Sequence, residues 1–249
     1  MEEQRPRIPK IIHYCWFGRG EMPDQAKKCI DSWHKYLPEY EYRLWNEDSF
    51  DVSSNRFVKE AYHNKKYAFV TDYVRLYALF HYGGIYMDTD VEVLKPLDAF
   101  LVYPAFSGFE VEDSIPTGIM GAEKGSTWAK KELEYYTDLS FIMPNGALNM
   151  KPNVQIITGH ALACGFIPNN EFQIINSDIA IFPKDYFCPK SYIDGAIHMT
   201  ENTHTIHHFA GSWHIDNDEL KKYKHLFGQM WGPRVFKIKN LFRKILFRL

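Results

Sequence analysis

The sequence predicts an α/β domain with a partly parallel sheet, on two observations. The first is an opening that reads strand, helix, strand. "IPKIIHYCWFG" (Ile8 to Gly18) is an apolar run closed by Gly, Pro23 to Leu37 has helical spacing with Pro38 after its end, and "YEYRLWNED" alternates as a second strand. The second is a breaker-free "YAFVTDYVRLYALFHY", Tyr67 to Tyr82, which Gly83-Gly84 closes in the manner of a helix C-cap. It delivers the chain into "IYMDTDVEVLKPL", short, β-branched and stopped by Pro96.

The remaining elements follow the same signals. Tyr103 to Ala122 reads as short strands broken by Gly and Pro, and Ser126 to Leu139 as a helix with Ser126 as its N-cap. "NVQIITGHALACGF" fits either a helix or a strand–turn–helix. "FQIINSDIAIFP" looks like a strand pair, and "THTIHHFAGSWH" like a final strand running into a loop. Length and apolar content, 249 residues at 45% hydrophobic, suit one sizeable core. We therefore expect one domain over 1–219 and a basic tail over 220–249.

Composition narrows the function classes. Cys15, Cys29, Cys164 and Cys188 lie far apart with no C-x-x-C pair, which argues for reduced thiols and against a zinc ribbon. The charged "MEEQRPRIPK" start is not followed by an apolar stretch of signal-peptide length, so a cytoplasmic protein is expected. Nine of the 29 Lys and Arg fall in residues 220–249, which hold no Asp or Glu. The rest of the chain thus carries 20 basic against 31 acidic side chains, a net of −11. An acidic body whose basic residues gather in one amphipathic tail argues against nucleic-acid binding.

The chemistry centres on Asp88 and Asp90. In an extended segment both would point to one face while Thr89 points away, and two acids so close are most favourable with a cation between them. Oxygen ligands favour Mg²⁺ or Mn²⁺; the plainer alternative is a solvated turn. Asp72 and Arg75, three apart on the preceding helix, share a face. Within an otherwise apolar helix they read better as ligands to a polar substrate than as a surface ion pair.

"IPKIIHYCWFG", "AFVTDYVRLYALFHYGGIYMDTDVEVLKPLD" and "THTIHHFAGSW", in this order and spacing, resemble glycosyltransferase family 32 over about residues 8–215. The resemblance implies a GT-A type nucleotide-sugar-binding fold, a mixed central sheet flanked by helices, a divalent metal and retention of anomeric configuration. By position, Asp90 would bind the metal, and Asp88 the ribose or donor sugar and the metal shell. Asp72 and Arg75 would hold sugar hydroxyls and phosphate, with Thr71 where the family usually has Ser. Trp16 matches an aromatic near the nucleotide base, its alternative being plain core. In the late loop, His208 and its competitor His207 are metal candidates, while Ser212 and Trp213 would touch phosphate and close the pocket. One departure is Thr158-Gly159-His160, where the family often has Thr-Gly-Pro, and it weakens what the family implies about the acceptor.

The expected activity is therefore transfer of a hexose or N-acetylhexosamine, from a UDP sugar, to a glycan hydroxyl in surface-polysaccharide synthesis. A metal-dependent phosphoesterase and a non-catalytic glycan- or membrane-binding protein are the alternatives. In the tail, Val235, Ile238, Leu241, Phe242, Ile245 and Leu249 recur at helical spacing among Arg and Lys. That pattern reads as an anchor on an anionic inner-leaflet surface, where a lipid-linked acceptor would lie, or as a helix docked on its own domain.

Overall fold

The computed structural model describes residues 5–110, 114–192 and 194–210. In chain order its elements are β1 (Ile11–Cys15), α1 (Asp24–Tyr36), β2 (Glu41–Trp45), α2 (Arg56–His63), α3 (Tyr67–Tyr82), β3 (Gly84–Met87), β4 (Val91–Val93) and β5 (Ala105–Gly108). There follow β6 (Ile119–Ala122), α4 (Thr127–Glu134), α5 (Asn153–Ala163), β7 (Gln173–Ile175), β8 (Ile179–Phe182), α6 (Lys184–Phe187) and β9 (Thr205–His207). No helix among the described residues is long and apolar enough to cross a membrane. The expected tail over 220–249 lies outside the described residues.

Seven strands form one mixed sheet in the order β2-β1-β3-β6-β5-β8-β7. β1 runs parallel to β2 and β3, and β5 parallel to β8, while β6 is antiparallel to both of its neighbours. Strand alternation divides the core between two faces. Tyr86 packs with Phe57, Val70, Val74 and Ile156 from α2, α3 and α5. Ile85 and Met87 pack on the other side with Trp33 and Leu37 near α1 and Phe187 of α6. The sheet is thus covered on both faces, an α/β architecture with a mixed central sheet.

Several elements differ from the sequence expectation in instructive ways. α3 spans the residues the sequence predicts, because Gly83 (φ +68°) and Gly84 (φ +116°) turn the chain directly from helix to strand. A Cβ on Gly84 would stand 2.5 Å from the Ile11 carbonyl oxygen, so the turn needs glycine for space as well as for its backbone angle. α4 stops at Glu134 rather than Leu139, and α5 is one helix. α2, which the pattern did not reveal, is capped by Asn55, whose Oδ1 accepts from the Val58 N–H.

The expected continuous strand after Gly84 is instead two. The Val91 N–H donates to the Asp88 carbonyl at 3.0 Å, closing a turn over Asp88-Thr89-Asp90. β4 then leaves the main sheet and pairs antiparallel with β9. α1 holds it there, with the Trp33 indole N–H on the Val91 carbonyl at 2.6 Å and Ser32 Oγ accepting from the Val93 N–H at 2.9 Å. Asp88 and Asp90 therefore do not share a face by strand alternation. A turn sets their geometry.

Candidate active site

β1 and β3 are parallel neighbours, so Trp16, just after β1, and Asp88, just after β3, emerge at the same edge of the sheet. In open α/β sheets this carboxyl edge is where ligands bind. Trp16 is half-buried and donates its indole N–H to the Gly20 carbonyl at 2.6 Å. β5 runs the same way as β3, and Glu110 follows its end.

α3 places Asp72 and Arg75, both buried, over that edge. Arg75 uses all three of its nitrogens. Nη1 donates to the Thr117 carbonyl at 2.6 Å and Nε to the Thr71 carbonyl at 3.3 Å, while Nη2 lies 3.3 Å from Asp72 Oδ1 and 3.5 Å from Asp88 Oδ1. Its guanidinium also stacks over the Tyr86 ring at 4.7 Å, and the Tyr86 hydroxyl donates to Asp88 Oδ1 at 2.6 Å. Arg75 and Tyr86 thus lock the Asp88 carboxylate from two sides. On the far side of Asp72, the Asn153 backbone N–H approaches Oδ2 at 3.3 Å, and its amide bonds the Asp72 carbonyl and the Tyr136 hydroxyl. Burial pushes the Asp72 carboxyl up to about 6, against the pull of Arg75.

Asp90 is organised by the segment after β9. His208 donates its backbone N–H to the Asp90 carbonyl at 2.9 Å, and the Ala210 N–H bonds Asp90 Oδ2 at 2.8 Å. Phe209 between them adopts φ +55°, a left-handed conformation unusual for a bulky side chain, which aims both donors at one residue. The His207 ring lies with Nε2 3.4 Å from Asp90 Oδ1 and Nδ1 3.0 Å from Glu110 Oε1. Burial opposes charge on this ring, but Asp90, Cys188 and Glu110 hold its pKa well above the usual histidine value. Asp90 is held below the carboxylate range despite its burial, by His207 and the Ala210 N–H.

Of the two histidine candidates, the structure brings His207 to the acids. The His208 ring turns instead to Glu92, with Nε2 2.8 Å from Oε2, and its carbonyl accepts from Lys190 Nζ. Ser212 and Trp213 lie outside the described residues. Sequence reasoning missed Tyr86, Thr117, Asn153, Glu110 and Cys188. Tyr86 had a signal, since it precedes Asp88 by two and an extended reading would put both on one face. Glu110 and Cys188 had none, because only the tertiary fold brings them to His207.

One donor atom from each of Asp88, Asp90 and His207 lies within 4.8 Å of the others. Among the described residues, four carboxylates, Asp72, Asp88, Asp90 and Glu110, meet here with one permanent cation, Arg75. That excess of negative charge and the two-oxygen, one-imidazole donor set fit a divalent ion such as Mn²⁺ or Mg²⁺.

Residues 23–107 match the family model described as the glycosyltransferase sugar-binding region containing the DXD motif. Inositol phosphoceramide mannosyltransferase 3 of Schizosaccharomyces pombe is 36% identical over 130 residues, 49% of this chain and 35% of that protein. A mannosyl phosphorylinositol ceramide synthase of Saccharomyces cerevisiae is 32% identical over 154 residues, 54% of this chain and 37% of the relative. The chain therefore spans little more than a third of the length of these relatives. Among solved structures, a glycosyltransferase involved in glycosylation of the PBCV-1 major capsid aligns over 88% of this chain and 100% of its own, at 12% identity and TM-score 0.48. The chain is thus similar to glycosyltransferases over residues 23–107, the stretch that carries Asp72, Arg75, Asp88 and Asp90.

Proposed function

We propose that the protein is a retaining, GT-A type glycosyltransferase that moves a hexose from a nucleotide sugar to a hydroxyl acceptor. The observation that carries this reading is the convergence of Asp72, Arg75, Asp88, Asp90 and His207 at the carboxyl edge of the sheet, the first four of them within the matched residues 23–107. Asp88, Asp90 and His207 would hold a divalent ion, Mn²⁺ or Mg²⁺, which supplies positive charge against a departing nucleoside diphosphate. Arg75 fixes the carboxylates of Asp72 and Asp88 and adds its own charge to the site. Ionised Asp72 accepts from a donor-sugar hydroxyl, and Trp16 offers a ring at the same edge for the base. The acceptor hydroxyl attacks the anomeric carbon from the leaving-group side, and its proton passes to the departing diphosphate oxygen.

The relatives' names refine the donor and acceptor. Both are named for mannosyl transfer to an inositol phosphoceramide, which favours a mannose donor over the UDP-linked sugar of the sequence expectation. It also favours a lipid-borne polyol hydroxyl over a surface polysaccharide. Radiolabelled GDP-mannose and UDP-hexoses, each offered phosphoinositol-headed lipids and oligosaccharides, separate these choices. Asp90→Asn should lower transfer by at least about a hundredfold while leaving the melting temperature near that of the wild type. Full activity in that variant would remove the metal assignment, and nucleotide release indifferent to acceptor would replace transfer with phosphoester hydrolysis.

A further inference from the structure

We infer that Glu110, Cys188 and His207 form a second metal site, suited to a borderline-soft divalent cation of the Zn²⁺ type. One donor atom from each residue lies within 4.8 Å of the other two. The three come from separate parts of the fold: Glu110 follows β5, Cys188 ends α6 and His207 ends β9. The ring shows Nδ1 to Glu110 at 3.0 Å while Nε2 faces Asp90, so each nitrogen belongs to a different cluster. Gly118 is what allows the ring to lie there, since a Cβ at that position would stand 3.0 Å from its Nδ1 and Cε1.

The two clusters differ in chemistry. Asp88 and Asp90 offer hard oxygens; Cys188 adds a sulfur, which Mg²⁺ avoids and Zn²⁺ favours. Thiolate, imidazole and carboxylate are the donors found on zinc, with a fourth position left to water. Donors around a tetrahedral zinc stand roughly 3.3–3.8 Å apart, so small side-chain rotations from the present spacing close the site. Cys188 is fully buried and the Glu110 and His207 side chains are 16% and 11% exposed, so the sulfur sits at the floor of the site and the other two donors at its opening. Binding releases the Cys188 thiol proton and the Nδ1 proton of His207 to solvent. Nε2 keeps its proton and its contact with Asp90, so zinc here prevents His207 from serving an ion at Asp88 and Asp90.

Cobalt titration of the metal-stripped full chain tests the site, because Co²⁺ bound by a thiolate gives a near-ultraviolet charge-transfer band and Co²⁺ bound by oxygen and imidazole does not. The expected result is a band that saturates at one equivalent of Co²⁺, is bleached by Zn²⁺ and persists in excess Mg²⁺. Cys188→Ser should abolish it, Glu110→Gln should weaken cobalt binding at least about tenfold, and Cys164→Ser and Asp88→Asn should retain it. No band in the wild type, or a band that survives Cys188→Ser, overturns the site. Should Cys188→Ser fail to fold, unchanged cobalt affinity in Glu110→Gln overturns it instead. The readout is independent of sugar transfer, so its failure leaves the proposed activity standing.

Discussion

Tyr86 shows how one hydroxyl supports a carboxylate that does the binding. Its ring is buried under the Arg75 guanidinium, and only its hydroxyl reaches Asp88. Tyr86→Phe keeps the ring, the cation–π contact and the packing, and removes the closer of the two donors at Asp88 Oδ1. Losing one hydrogen bond to a charged acceptor costs about 1.5–3 kcal/mol when the acceptor depends on it, but Arg75 still holds Asp88 here. We expect kcat/KM to fall about tenfold with a urea midpoint close to the wild type. Kinetics indistinguishable from wild type would mean that Arg75 alone orients Asp88. The buried Asn153, at the start of α5, holds Asp72 as well, with its backbone N–H at the carboxylate and its side-chain amide at the carbonyl.

His13 joins three elements at once, and its pH dependence can be read from its partners. It is buried on β1, its Nδ1 accepts from the Trp45 indole N–H of β2 at 3.1 Å, and its Nε2–H donates to the Gly83 carbonyl at the α3–β3 turn at 2.8 Å. This arrangement needs a neutral ring, and burial lowers the pKa to about 4. A depressed histidine pKa contributes stability that is complete above the unfolded value of 6.5 and lost as pH falls from there through 4, with a slope of up to about 1.4 kcal/mol per pH unit. His13→Gln should therefore be less stable than wild type at neutral pH, with a gap that narrows toward pH 4 in urea titrations. Asp72 and His207, both raised, have the opposite sign, but they are present in both proteins and cancel in the gap. A gap that stays constant over this window would show that His13 titrates normally. The same turn explains what the sequence disclosed. From Gly83, Arg75 and Asp72 lie about 12 and 16 Å back along a helix and Asp88 about 16 Å forward along a strand, so helix and strand rises bring them level. Such local geometry is legible, as is the strand–helix–strand opening. The break at Asp88 is not, because it depends on Trp33 and on pairing with β9 more than 100 residues away. His207 against His208 was undecidable for a similar reason: in a three-residue strand, the partner strand chooses which ring faces the acids.

At the scale of the whole molecule, charge is divided along the chain, with a net of −11 over residues 1–219 and nine basic residues after them. An acidic body repels an anionic bilayer, so a surface-acting enzyme of this composition needs a local basic segment to approach one. We propose that residues 220–249 act as such a segment, since apolar residues recur at helical spacing between the charges. Each Lys or Arg near an anionic surface contributes roughly 1 kcal/mol, so reversing three should cut binding by at least about a hundredfold. The full chain is expected to co-sediment with phosphatidylserine-containing vesicles at about 0.1 M salt and to be released near 0.5 M, as screening shortens the reach of the charges. The triple variant K237E/R243E/K244E should remain in the supernatant, with transfer to a soluble acceptor unchanged and transfer to a vesicle-borne lipid acceptor reduced. Equal sedimentation of variant and wild type would assign the tail to another role. Loss of soluble-acceptor transfer as well would show that the tail serves the catalytic domain itself.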